Sequence, residues 1–208
     1  MSSPAERARE RGITEILHFT TDKGVLGSLR KGQLLSRKQV EDDPDLAFIF
    51  LGVWPVKVPE WVDHISLSLS QINRELFERA EQNLPDRWWA VMSFDVAILD
   101  EPDVWFTTTN NSYTEVCRRG QSIEGFEDMF AEHVPWGYYG SVVHRRADYP
   151  DNLPTHRQAE VLFPEAIDLE HLLRIYVELP EQRRMIKAWC SAFDRSEPTI
   201  EVQPEIFR

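Results

Sequence analysis

Residues 154–163 (PTHRQAEVLF) set a carboxylate, Glu160, among apolar residues, with an amide, Gln158, two positions before it. In an extended chain that spacing turns Gln158 and Glu160 to one face and Ala159 and Val161 to the other. Burying a carboxylate is costly, so its place in an apolar strand invites a chemical reason. The plain alternative is an ion pair at a sheet edge with Arg157 or Arg145. Two other segments carry polar groups at strand spacing. His18-Phe19-Thr20 ends an apolar stretch, and taken alone His18 reads as a hydrogen-bonded core residue. Residues 64–70 (HISLSLS) alternate strictly, with Ser66, Ser68 and Ser70 on the face opposite Ile65, Leu67 and Leu69. Alone, that serine face reads as the solvent side of a strand.

Other chemistries lack their residues. There is no glycine-rich phosphate loop with its lysine and no fingerprint of three spaced glycines for a dinucleotide. The six histidines and two cysteines show no metal-ligand spacing, so no metal is expected. Arg118 and Arg119 beside Cys117 are the kind of neighbours that lower a thiol pKa. With no Cys–His arrangement, a buried, incidental cysteine is the simpler reading.

The positioning elements follow from caps and periodicity. Residues 15–20 read as a strand, and Thr21 or Asp22 caps a helix that runs to Lys31 and stops at Gly32. Gly24 and Gly27 each cost that helix roughly 1 kcal/mol, which implies a close approach by packing or by a ligand. Residues 71–83 and 122–132 read as amphipathic helices, and 181–193 as a final helix after Pro180. Residues 88–94, 104–108, 159–163 and 172–177 read as strands. Helices and strands mix without regular alternation, so the fold class is α+β, with residues 1–208 expected as one domain.

The chain has 208 residues, 35 acidic against 23 basic, for a formal charge of −12. That acidity argues against holding duplex DNA by blanket phosphate neutralisation, and leaves room for local basic patches. No apolar run approaches the ~18 residues of a membrane span. The charged start is not expected to be a signal peptide, and two cysteines make no disulfide framework, so a cytoplasmic setting is expected.

In order along the chain, these segments resemble the DarT family of DNA ADP-ribosyltransferases, toxins of the DarT–DarG type. The likeness lies in His18-Phe19-Thr20, in residues 32–37 (GQLLSR), in the serine strand, in residues 108–112 (TTNNS) and 125–131 (GFEDMFA), and in Leu153-Pro154-Thr155 with residues 158–162 (QAEVL). The last of these is the most specific. The resemblance implies an ADP-ribosyltransferase-like fold with mixed or antiparallel sheets, flanking helices and a cleft for NAD+. It implies that His18 and Thr20 hold the nicotinamide and its ribose, with Phe19 between them, and that Gly27 and Leu35 contact NAD+. Glu160 is then the catalytic glutamate, and Gln158 orients the nucleophile. A carboxylate fixed beside the ribose stabilises the positive charge that grows as the nicotinamide bond breaks. One departure is clear: the family's arginine before the serine strand has no counterpart between Lys38 and His64. Lys57 is the basic residue at about the right remove, and a lysine with a lowered pKa is able to serve as the base.

The implied acceptor is a base of single-stranded DNA, which needs no extraction from a duplex. Trp136, Tyr138 and Tyr139 near Arg145 and Arg146, and Tyr113 near Arg118 and Arg119, are candidates for stacking and phosphate contact. Between the family's thymine and guanine, the serine-rich strand leans slightly to guanine. RNA or protein acceptors, or a catalytically silent NAD+- or nucleic-acid-binding module, are the alternatives. A DarG-type macrodomain antitoxin is the implied partner. An anionic co-substrate needs a cleft more positive than the total charge, with His18, Lys57, Arg37, Arg145 and Arg146 as contributors.

Overall fold

A computed structural model describes residues 2–46, 49 and 58–208. Local signals set the element ends. Ser3 caps helix α1 (Pro4–Glu10): its hydroxyl accepts the Glu6 N–H, and the Glu6 carboxylate accepts the Ser3 N–H. Two orphan donors are thereby satisfied reciprocally. Strand β1 (Ile16–Thr21) passes directly into α2 (Asp22–Lys31), capped by the Thr21 hydroxyl and stopped by Gly32 at φ 79°. Strand β2 (Gln33–Leu35) and helix α3 (Arg37–Asp42) follow. Next come β3 (His64–Leu69), α4 (Arg74–Asn83), whose cap is Asn73, and β4 (Trp89–Phe94), which is buried throughout. Short strands β5 (Trp105–Thr107) and β6 (Arg119–Gly120) lead to α5 (Ser122–Asp128) and a hairpin of β7 (His133–Trp136) and β8 (Ser141–His144). The chain closes with β9 (Glu160–Pro164), β10 (Ala166–Asp168), β11 (Leu172–Val177), α6 (Pro180–Ala192) and β12 (Thr199–Val202).

Eight strands form one sheet in the order β12-β11-β4-β1-β3-β9-β5-β6, antiparallel except where β11 meets β12. Two small ladders, β2 with β10 and β7 with β8, stand beside it. Strands β1 and β3 pair only at Ile16–Leu69 and Leu17–Ser68. Beyond Leu17, β1 continues against β4, and over 64–67 β3 continues against β9. The sheet therefore forks between β1 and β3. One apolar cluster, including Ile16, Leu29, Leu67, Phe94, Phe106, Phe126 and Ile186, fills one side. A second, with Leu17, Phe77, Trp89 and Phe207, fills the other. The α+β class and most of the expected elements are present. The helix expected over 122–132 stops at Asp128, and the next residues turn so that Met129 O accepts the Thr155 N–H while Met129 and Phe130 stay buried. The β7–β8 hairpin was not read from the sequence. Its turn rests on Gly137 and Gly140, both at φ +67°, and that glycine pair was the available signal.

Candidate active site

Glu160 opens β9, an interior strand between β3 and β5, and is only 5% exposed. Its Oε2 accepts the Asn111 N–H at 2.8 Å, and its Oε1 lies 3.4 Å from the Asn110 amide nitrogen. Its own N–H is taken at 3.0 Å by the Thr107 hydroxyl, which donates to Thr109 O at 2.8 Å. Residues 107–111 thus wrap the glutamate, and two side chains pin that loop. Arg119 donates to Asn111 Oδ1 at 2.6 Å, to Asn111 O at 2.9 Å and to Cys117 O at 3.2 Å. The buried His156 lies 2.9 Å from the Thr109 hydroxyl and accepts the Gln158 N–H at 3.3 Å, both on Nδ1.

The alternative of a sheet-edge ion pair with Arg157 or Arg145 does not match this geometry. Arg157 bonds Glu75, and Arg145 donates to the carbonyls of Leu153 and Pro150. Nor does Gln158 sit on a strand with Glu160, as the spacing had suggested. Residues 156–159 form a turn, closed by Ala159 N–H to His156 O, and the Gln158 amide NH2 donates to Glu75. The turn satisfies the backbone before β9 begins, so the spacing of two does not set the faces here.

Two cavities meet at Glu160. The first, about 280 Å3, occupies the fork of the sheet, bordered by β1, the start of α2, β2 and β3. His18, Thr20, Gly27 and Leu35 all line it, together with Arg37, whose Nε also bonds Glu41 at 2.7 Å. The His18 Nδ1 lies 3.0 Å from Ser66 O, spanning the fork. A carbonyl only accepts, so the proton sits on Nδ1. Phe19 borders the cavity too, but its ring packs edge-on against Phe77 and Trp89, with centroids 5.5 and 5.9 Å away. Gly27 is explained by packing: a Cβ there would lie 2.0 Å from Ile49 Cδ1. Gly24 is the glycine that spares a site side chain, since its Cβ would lie 2.0 Å from Thr20 Oγ1. Ser66 and Ser68 face this cavity, so the reading of the serine face as a solvent side is corrected.

The second cavity, about 340 Å3, lies between α4 and the loop 110–113, with Gln158 and Glu160 in its wall. Ser66, Asn73, Leu76 and Glu160 border both cavities. Trp61 and Tyr113 give the second cavity aromatic walls. Tyr113 continues outward through Tyr138, edge-on at 5.2 Å, and Trp136, at 6.4 Å, to the exposed tip of the hairpin. Arg145 and Arg146 line neither cavity, and Arg146 pairs with Asp148, so neither makes the cleft more positive. Burial raises the Cys117 thiol pKa, against the lowering that its arginine neighbours had suggested. Lys57 lies outside the described residues. No cluster able to hold a metal ion occurs among the described residues. Thr107, Asn111, His156 and Glu75 were not picked out as site residues, and Arg119, expected near Tyr113 as a phosphate contact, instead holds the loop at Asn111. The TTTNN run at 107–111 was visible, but its grip on Glu160 runs through backbone atoms that no side-chain pattern reports.

A family model described as "ssDNA thymidine ADP-ribosyltransferase, DarT" matches residues 54–208, well over half of the chain. The chain belongs to the DarT family. Comparison with curated protein sequences gives no match. Among solved structures, the Thermus sp. 2.9 DarT in complex with carba-NAD+ is similar at 15% identity and TM-score 0.64, covering 94% of this chain and 98% of that one. The same protein in complex with ADP-ribosylated ssDNA gives 16% identity and TM-score 0.63, covering 95% and 97%. The Thermosipho africanus DarTG in complex with ADP-ribose gives 18% identity and TM-score 0.59, covering 93% of this chain and 51% of that one. These likenesses support the expected DarT fold. The family description names thymidine, so the lean toward guanine drawn from the serine strand is set aside.

Proposed function

We propose that this DarT-family chain transfers ADP-ribose from NAD+ to thymine in single-stranded DNA, with Glu160 as the catalytic carboxylate. One observation carries the reading: a buried carboxylate, held by a backbone N–H, stands where two cavities meet. The first cavity fits a nicotinamide riboside. It offers the His18 ring, the Thr20 hydroxyl and the diverging strand edges of the fork to a flat carboxamide and its sugar, with Arg37 at hand for a phosphate. Leu35 and Gly27 supply apolar and close backbone wall, and Phe19 holds β1 against the second core cluster. NAD+ supplies the ribosyl carbon: its bond to nicotinamide breaks, the electron pair stays with nicotinamide, and a bond to a thymine nitrogen forms with loss of that nitrogen's proton.

Glu160 faces that carbon from the junction and stabilises the positive charge that grows there. Its rigid cradle removes the need to reorganise during the reaction. The second cavity receives the base between the aromatic walls of Trp61 and Tyr113, beside Gln158, which orients it. Within DNA a thymine keeps one N–H, on its ring imide, and Lys57 is the residue assigned to take that proton. Residues 1–208 act as one catalytic domain in the cytoplasm, as the toxin of a pair with a DarG-type antitoxin. The similarity to a DarTG protein, and two buried cysteines with no disulfide, support that setting. No helix among the described residues is long and apolar enough to cross a membrane.

The test is transfer from labelled NAD+ to pools of single-stranded DNA, RNA and protein, with mass spectrometry of the product. ADP-ribosylated thymine in the DNA pool is expected, and Glu160→Ala should cut transfer by about 100- to 1,000-fold. Undiminished transfer by Glu160→Ala would remove that residue from its role. Product only in RNA or protein would change the substrate class, and no product in any pool would leave a binding module.

A further inference from the structure

Resting on the proposed function, the second cavity must admit a nucleotide with its phosphate. Its described walls, however, hold two carboxylates, Glu75 and Glu160, and one guanidinium, Arg79. Two other arginines stand close by, and both are engaged. Arg157 is bound to Glu75, and Arg119 gives two hydrogen bonds to Asn111, in the loop that holds Glu160, and a third to Cys117 O. Arg79 is exposed, one helical turn after Glu75 on the face of α4 that borders the cavity. Among the described residues its guanidinium has no hydrogen-bond or ion-pair partner, although it carries five donors and a permanent charge. A second group at the same end of α4 is also unmet. Asn73 is 4% exposed and borders both cavities; its side-chain oxygen caps the helix, and its Nδ2 finds no partner among the described residues. A buried donor left unsatisfied by the fold is one that a ligand oxygen can satisfy.

We propose that Arg79 binds a phosphate of the acceptor strand beside the thymine, with α4 as the wall that seats the strand's backbone at the cavity mouth. A planar guanidinium matches the two non-bridging oxygens of a phosphodiester, and its charge offsets the carboxylates that the strand must pass. Specificity then stays with the cavity and Gln158, because a phosphate contact positions without reading sequence.

The experiment measures transfer to a thymidine-containing oligonucleotide by the full chain and by Arg79→Ala, with Arg79→Gln as a second variant that also keeps the helix. The expected result is a rise of about 10- to 100-fold in KM for the oligonucleotide with little change in kcat, the loss of one charge-assisted contact. The slope of log KM against log salt should fall by about 0.7, the value of one single-strand phosphate contact. Oligonucleotides with one neutral methylphosphonate linkage then locate the contact. At one linkage next to the thymidine, neutralisation should weaken the unaltered protein and leave Arg79→Ala unaffected. Equal KM and salt slope in the variants, or the same added loss at every linkage, would overturn the proposal. Transfer by the unaltered protein in those cases leaves the proposed function standing, whereas no transfer to any oligonucleotide defeats that function itself.

Discussion

His156 accepts a backbone N–H on Nδ1, so that nitrogen carries no proton and the Thr109 hydroxyl donates to it as well. The ring is neutral in the fold, and burial, with help from the Arg157 charge, pushes its pKa down from 6.5 to about 4. In the unfolded chain the same ring protonates below its ordinary value. Between pH 6.5 and about 4 the unfolded state therefore binds more protons, and stability falls as pH falls through that window. From pH 7 to pH 5 this one group should remove about 2 kcal/mol. Denaturant unfolding at the two pH values should show His156→Gln losing less stability over that interval than the unaltered chain, and equal losses would refute the assignment. The sequence made Glu160 legible because a carboxylate in an apolar run is anomalous wherever it sits. It could not show His156, Thr107 or Arg119, since each acts through loop atoms brought close only by folding. Gln158 was half legible: its nearness to Glu160 follows from chain position, but a turn rather than strand alternation presents it.

At the scale of elements, α2 shows what a glycine in a helix can and cannot announce. Both of its glycines were visible as costs to the helix, and both were open to either packing or a ligand. The structure separates them, with Ile49 against Gly27 and the Thr20 hydroxyl against Gly24. Gly24→Ala gains about 1 kcal/mol of helix propensity, yet its methyl group collides with a β-branched side chain that has few rotamers to escape into. The expected outcome is that the collision offsets the propensity gain and that NAD+ affinity falls by about tenfold, as for the loss of one hydrogen bond. Titration calorimetry reads this directly, and unchanged affinity would show that the Thr20 hydroxyl takes no part. Strands β1, β3, β4 and β9 were legible because each has a buried face or two. The hairpin of β7 and β8 was not, because exposed residues on β8 and at its turn leave no alternation to read. Yet that hairpin carries Tyr138 out beside the second cavity.

For the molecule as a whole, a charge of −12 limits how nucleic acid can be held. Arg145 and Arg146 are spent on the chain's own carbonyls and carboxylates, and the described walls of the second cavity carry one cation. Binding of a single-stranded oligonucleotide should therefore depend weakly on salt, with a log–log slope of about 1 to 2, corresponding to two or three phosphate contacts. A slope steeper than about 4, measured by anisotropy over a range of sodium chloride, would contradict this. Most of the affinity then comes from stacking and from the filled cavity.

The fork between β1 and β3 has a broader consequence. Past Leu17 two strands part with their facing edges unpaired by each other, and the cleft walls are made there. Peptide groups are identical whatever side chains the strands carry. A carboxamide resembles a short piece of strand edge, so a cleft built from diverging edges can recognise it through main chain alone. Recognition of that kind asks for register, not residue identity. Such main-chain contacts would add to those of the His18 ring and the Thr20 hydroxyl, which border the same fork.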